Sequence, residues 1–183
     1  MDASTINTAD NLRGIAATLE AEPYSWDQHT YLNDEVTTEW FKQGDTEVCG
    51  IRPGSLIAEI EEGCVSTCCI AGHSVVEAVM QGYNVDMKIL PIEDTAREWL
   101  GLEKGAALEL FKFDFDVRLN IPDDYDDGSP IPLEEQHAMR ADMVADILRQ
   151  LALIPQGERT LAALDRIVSY VQSSFHPELE DRP

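Results

Sequence analysis

Positive charge is the scarcest feature of this chain. Its 183 residues carry 13 lysines and arginines against 35 aspartates and glutamates, a formal net charge of −22. The imbalance runs along the whole sequence: five basic against 18 acidic residues in 1–100, and eight against 17 in 101–183. Such a surface repels polyanions, which argues against direct nucleic-acid binding and against an anionic membrane. It favours a basic protein partner or a high-salt setting, with a merely solvated acidic face as the plain alternative. Long apolar runs are missing as well. No stretch nears the roughly 18 residues that cross a bilayer. The start, Met1-Asp2-Ala3-Ser4-Thr5, has neither the basic nor the apolar region of a secretory leader, so the expected location is the cytoplasm. Cysteine is limited to four residues, read in that compartment as thiols rather than disulfides. There is no glycine-rich phosphate loop, Gly-x-Ser-x-Gly elbow, His-Glu-x-x-His helix or paired-carboxylate signature, which weakens the case for an enzyme without closing it.

What is present points to a globular fold: 44% of the residues are hydrophobic, ordinary for a packed domain. Leu12, Ile15, Ala16 and Leu19 follow the helical period and predict a first helix over 8–20, stopped by Pro23. The aromatic stretch 24–32 reads as a loop whose rings pin it to the core. Residues 46–51 and 55–60 read as two strands around the turn Arg52-Pro53-Gly54. A helix is expected from about Cys68 to Gln81, stopped by Gly82, and another is expected to be capped by Asp94 and to end at Gly101. A further helix spans Glu103 to Phe111. Residues 133–153 and 160–175 carry apolar stripes, Leu133, Met143, Val144, Ile147, Leu148 and Leu151 in one, and Leu161, Leu164, Ile167, Val168, Val171 and Phe175 in the other. The short turn at Pro155 and Gly157 makes them an antiparallel αα-hairpin. The fold class expected is mainly α: a helical domain with a small β-hairpin and a C-terminal αα-hairpin. Its parts are a helical domain with a Cys-rich motif (1–119), an acidic loop or linker (120–132) and a helical hairpin packed on the first part (133–183).

The segment Cys64-Val65-Ser66-Thr67-Cys68-Cys69-Ile70-Ala71-Gly72-His73 resembles the Cys-Gly-Thr-x-x-Cys-x-Ala-Gly-Trp/His signature of a family of small uncharacterised proteins of bacteria and their phages. Trp26-Asp27-Gln28 is similar to that family's Trp-x-Gln. Ala96-Arg97-Glu98-Trp99-Leu100-Gly101-Leu102, followed by Leu110-Phe111, resembles its Ala-x-x-x-Leu-Gly-Leu…Leu-Phe ending. Val65 departs from the usual glycine, and residues 49–63 form an extension. The resemblance covers roughly 10–111; it implies a fold unit and brings no activity with it. Nine arginines against four lysines suit an actinobacterial or phage source.

Two constellations carry ligand chemistry. On a helix starting near Thr67, Cys69 and His73 stand one turn apart on one face, with Cys64 and Cys49 as further donors for a zinc ion. The same pair reads as a thiol nucleophile with a base, Cys68 and Cys69 lying where a helix dipole lowers a thiol pKa. The alternative is a core helix of small residues, cysteine being among the most buried types. In the acidic loop, Asp123, Asp127, Gly128 and Glu134 fall at positions 1, 5, 6 and 12 of a calcium loop, with Tyr125 breaking position 3; a solvated loop is the alternative. The functional expectation is a non-catalytic, acidic interaction protein that binds a basic protein partner, in its sharper form as a nucleic-acid mimic of phage type. Self-association through the C-terminal hairpin is a further expectation. The reading from another class is a metalloprotein or thiol enzyme centred on Cys64, Cys69 and His73.

Overall fold

The structure is a computed structural model that describes residues 7–25, 38–61, 69–112, 115–119, 121 and 129–174. These residues form seven α-helices, three strands and short 3-10 turns. In chain order the helices and strands are α1 (Thr8–Ala21), β1 (Thr38–Gln43), β2 (Thr46–Ile51), α2 (Pro53–Glu61), α3 (Ile70–Met80), β3 (Leu90–Pro91), α4 (Ile92–Leu100), α5 (Lys104–Leu110), α6 (Leu133–Leu153) and α7 (Leu161–Ser174). The chain is therefore mainly helical with one small antiparallel sheet, as its periodicity predicts.

Helix α1 begins where the Asn7 side chain accepts the Asp10 amide, satisfying one of the first-turn N–H groups. Leu12, Ile15, Ala16 and Leu19 are all buried, and α1 packs along α6 more extensively than any other pair of elements. α6 and α7 form the αα-hairpin through Pro155 and the 3-10 turn Gln156–Glu158, and α7 rests on α5. Two residues of the expected stripes are not inside: Leu133 is 67% exposed and Leu161 39%. Each is the first residue of its helix. Leu133 lies only about 20° around the axis from Val144. Period fixes the face, but how far along the helix that face is covered depends on its neighbours.

The hairpin departs from expectation. Strand 46–51 forms, but its partner is β1, upstream, and residues 55–60 are helical within α2. The cause is Pro53. At the first position of α2 its missing N–H costs nothing and its fixed φ suits the helix, while the Arg52 carbonyl accepts the Leu56 amide. The turn is Gly44-Asp45, with Gly44 at φ +65°, the left-handed geometry that two-residue hairpin turns demand. β2 lies in the middle of the sheet, pairing Trp40 with Cys49 on one side and Ile51 with Leu90 on the other. Gly50 admits no side chain, because a Cβ there would meet the Phe41 ring, Ile89 and the Leu90 carbonyl.

Two helix starts also shift. α3 begins at Ile70, with Cys69 in the capping position, and ends at Met80, with Gly82 just beyond it at φ +80°. α4 begins at Ile92 rather than behind an Asp94 cap: Pro91 closes β3 in extended conformation, and the chain turns into the helix at once so that Ile92 is buried. Asp94 sits in the first turn, where its charge suits the helix dipole. Gly101 ends α4 in left-handed conformation, as expected.

One buried cation ties these helices together. Arg159, in the α6–α7 connection, is 2% exposed. Its Nε donates to the carbonyls of Leu151 and Ile154, each at 3.0 Å, at the end of α6. Its Nη1 donates to the Leu100 carbonyl at the end of α4 and to the Thr8 hydroxyl at the start of α1, each at 2.8 Å. Its own carbonyl accepts the Glu103 amide at the start of α5.

Candidate functional site

Of the sequence-predicted ligands, the described residues include Cys49, Cys69, His73 and Glu134; Cys64, Cys68, Asp123, Asp127 and Gly128 lie outside them. Cys69 and His73 are one helical turn apart, the Cys69 carbonyl accepting the His73 amide at 2.9 Å. Cys69 is fully buried and His73 half-buried. Burial pushes the Cys69 thiol up to about 11 and outweighs the amides of Gly72 and Ala71, which favour the thiolate. The lowered pKa expected at the helix start is thus reversed, because that start lies in the core. At neutral pH Cys69 is a protonated packing group. Glu134 is exposed in the first turn of α6. Among the described residues, no three His, Cys, Asp or Glu side chains gather into a metal site. The zinc and calcium readings therefore depend on Cys64, Asp123 and Asp127.

What the fold does build is a groove of about 340 Å³ between the β-hairpin and the starts of α4 and α5. Trp40, Glu47 and Cys49 line it from the sheet, Glu93 and Asp94 from α4, and Lys104 and Leu108 from α5. The cross-strand pairing of Trp40 with Cys49 sets both on one sheet face, and Glu47, two residues from Cys49, shares that face. Trp40 is 70% exposed, unusual for an indole, and Leu108 is also exposed. Cys49 is a half-buried free thiol. Burial raises its pKa and the Glu93 charge adds to the rise, although a hydrogen bond with Thr38 works the other way. Asp94 is held by Arg97 at 3.5 Å. The groove thus presents three carboxylates, one ammonium and an open indole face. The groove is not legible from periodicity, because β1 lacks the apolar alternation of a strand. The signal was there in Gly44-Asp45, a two-residue link between segments of strand character.

A second electrostatic feature lies where α1, α3 and α4 meet. Glu77 on α3 is half-buried, and its Oε1 lies 2.9 Å from where a Cβ on Gly14 would stand. Gln81 donates to Oε1 at 3.2 Å. Oε2 and the Trp99 indole nitrogen are both buried without completing a hydrogen bond, although the indole is near enough to favour the carboxylate. Desolvation dominates and raises the Glu77 pKa above its ordinary 4.5. Protonated Glu77 is the form the fold prefers. Its favourable contribution is complete below pH 4.5 and is lost as pH rises through the raised value. Glu77→Gln is expected to unfold at higher urea concentration than the parent at about pH 8, the gap closing below about pH 4. A constant gap across that range would remove the titration argument.

No protein-family model, curated protein or solved structure matches this chain. The family resemblance drawn from residues 10–111 accordingly rests on its motif residues alone.

Proposed function

We propose that this chain is a non-catalytic, acidic interaction protein whose partner is a basic protein. The observation that carries the reading is how the few cations are used. Arg13, Arg52, Arg97, Lys112, Arg118 and Arg149 are paired with carboxylates of the same chain, and Arg159 is buried on carbonyls. Each pair cancels one charge of either sign, so the carboxylates in excess, a formal −22, set a strongly negative outward field. Carboxylates crowd locally as well: burial first, then Glu20 and Asp146, raise the Asp142 pKa along the α1–α6 contact. The sharper form of the reading is a nucleic-acid mimic, with carboxylates standing where phosphates would. The protonated, buried Cys69 argues against the thiol-enzyme reading.

The test is capture of partners by the tagged full chain, with stoichiometry read by native mass spectrometry at increasing salt. The expected result is a stoichiometric basic protein whose affinity falls at least about tenfold between about 0.05 and 0.5 M salt. For the mimic, DNA or RNA should displace the chain from that partner. An affinity indifferent to salt would overturn the charge-based reading.

A further inference from the structure

We propose that the groove between the β-hairpin and the α4 and α5 starts seats an arginine side chain of the basic partner, guanidinium over the Trp40 ring and between the flanking carboxylates. This rests on the interaction reading above and gives it a place on the surface. The argument begins with size. About 340 Å³ is at the small end of ligand pockets, room for one long side chain and its backbone rather than for a cofactor.

The chemistry of the walls then selects the occupant. Glu47, Glu93 and Asp94 outnumber Lys104, so an anion would meet net repulsion although the start of α4 faces the groove. A cation meets the reverse. The open indole of Trp40 offers an aromatic face, and Leu108 offers apolar surface for the stem of a long side chain. Arginine fits better than lysine because its flat guanidinium stacks on an indole while its N–H fork serves a carboxylate. Asp94 is already engaged by Arg97, so Glu47 is the acceptor that matters, with Glu93 adding its negative charge from α4. Lys104 competes for the same carboxylates, and its removal should tighten binding.

The experiment uses the full chain, labelled for NMR, titrated with a short arginine peptide, with the same peptide bearing neutral citrulline, and with inorganic phosphate. The arginine peptide is expected to shift the Trp40 indole and the Val48 and Cys49 amides; citrulline and phosphate should not. Trp40→Ala removes an exposed side chain on an edge strand and is expected to weaken the peptide about fivefold. Glu47→Gln should weaken it about threefold and Lys104→Ala strengthen it about twofold. Glu158→Gln, which deletes one charge at an exposed site that does not line the groove, should change nothing. Equal losses in Glu47→Gln and Glu158→Gln, with none in Trp40→Ala, would overturn the groove and leave the charge-based reading standing. Equal binding of citrulline, or binding of phosphate, would overturn the proposed occupant. Loss of salt-sensitive partner capture would instead overturn the parent reading.

Discussion

Arg159→Ala is expected to cost about 3–5 kcal/mol in urea unfolding, the largest loss from any single polar side chain in this molecule. The last carbonyls of a helix have no partners within it and carry the negative end of its dipole. Leu151 and Ile154 end α6, Leu100 ends α4, and all three oxygens face the Arg159 guanidinium, those of Leu151 and Leu100 away from water. Among the described residues the cation is held by helix ends rather than by a carboxylate, and these ends supply its counter-charge. Burial lowers its pKa, with Arg13 adding to the effect, yet a guanidinium starts so high that it keeps its proton at neutral pH. Alanine would leave two buried carbonyls, a half-buried third and the Thr8 hydroxyl without their donor, and a cavity between α1, α4 and α6. Lysine should recover only part of the loss, since one ammonium cannot span two helix ends and the α1 hydroxyl at once. Because the contacts are buried, the deficit should persist in high salt, whereas loss of the exposed Arg13–Asp10 pair should be nearly silent. A loss below about 1 kcal/mol for Arg159→Ala would mean that these carbonyls find other donors or water.

The second large effect is a contrast within α6. Leu148→Ala should cost about 2–4 kcal/mol, and Leu133→Ala should stay within about 0.5 kcal/mol. Both leucines belong to one stripe by period, 15 residues apart on a helix turning 100° per residue. Leu148 is completely buried and Leu133 is 67% exposed. The first loses transfer energy and leaves a void; the second already stands in water. Equal costs at the two positions, measured by chemical unfolding, would mean that something covers the start of α6 in solution, and self-association would then be the first thing to measure.

The readings that succeeded were those set by local physics. The faces of α1, α6 and α7 follow from apolar spacing, because a helix repeats its direction every 3.6 residues whatever it packs against. The stops at Gly82 and Gly101 follow from conformations open to glycine and costly for most other residues. Where several local rules competed, the reading failed. Pro53 is at home in a turn and at a helix start alike, and the chain takes the helix start, so 55–60 are helical. Gly44-Asp45 signalled a hairpin that depended on recognising β1, whose residues Thr38, Glu39 and Lys42 show no apolar alternation.

The candidate site depended still more on context. A cysteine at a helix start has a low pKa if water and cations surround it and a high one if it is buried, and nothing beside Cys69 in the chain distinguishes the two. The groove joins residues 40–49 to 91–108, and Arg159 joins the α6–α7 turn to residues 8 and 100. Charge, composition and periodicity act over a few neighbouring residues or over the whole chain, so they can be read in one dimension. Coverage, burial and the gathering of distant side chains depend on which surfaces meet, and here they were settled by how the helices pack on one another and on the β-hairpin.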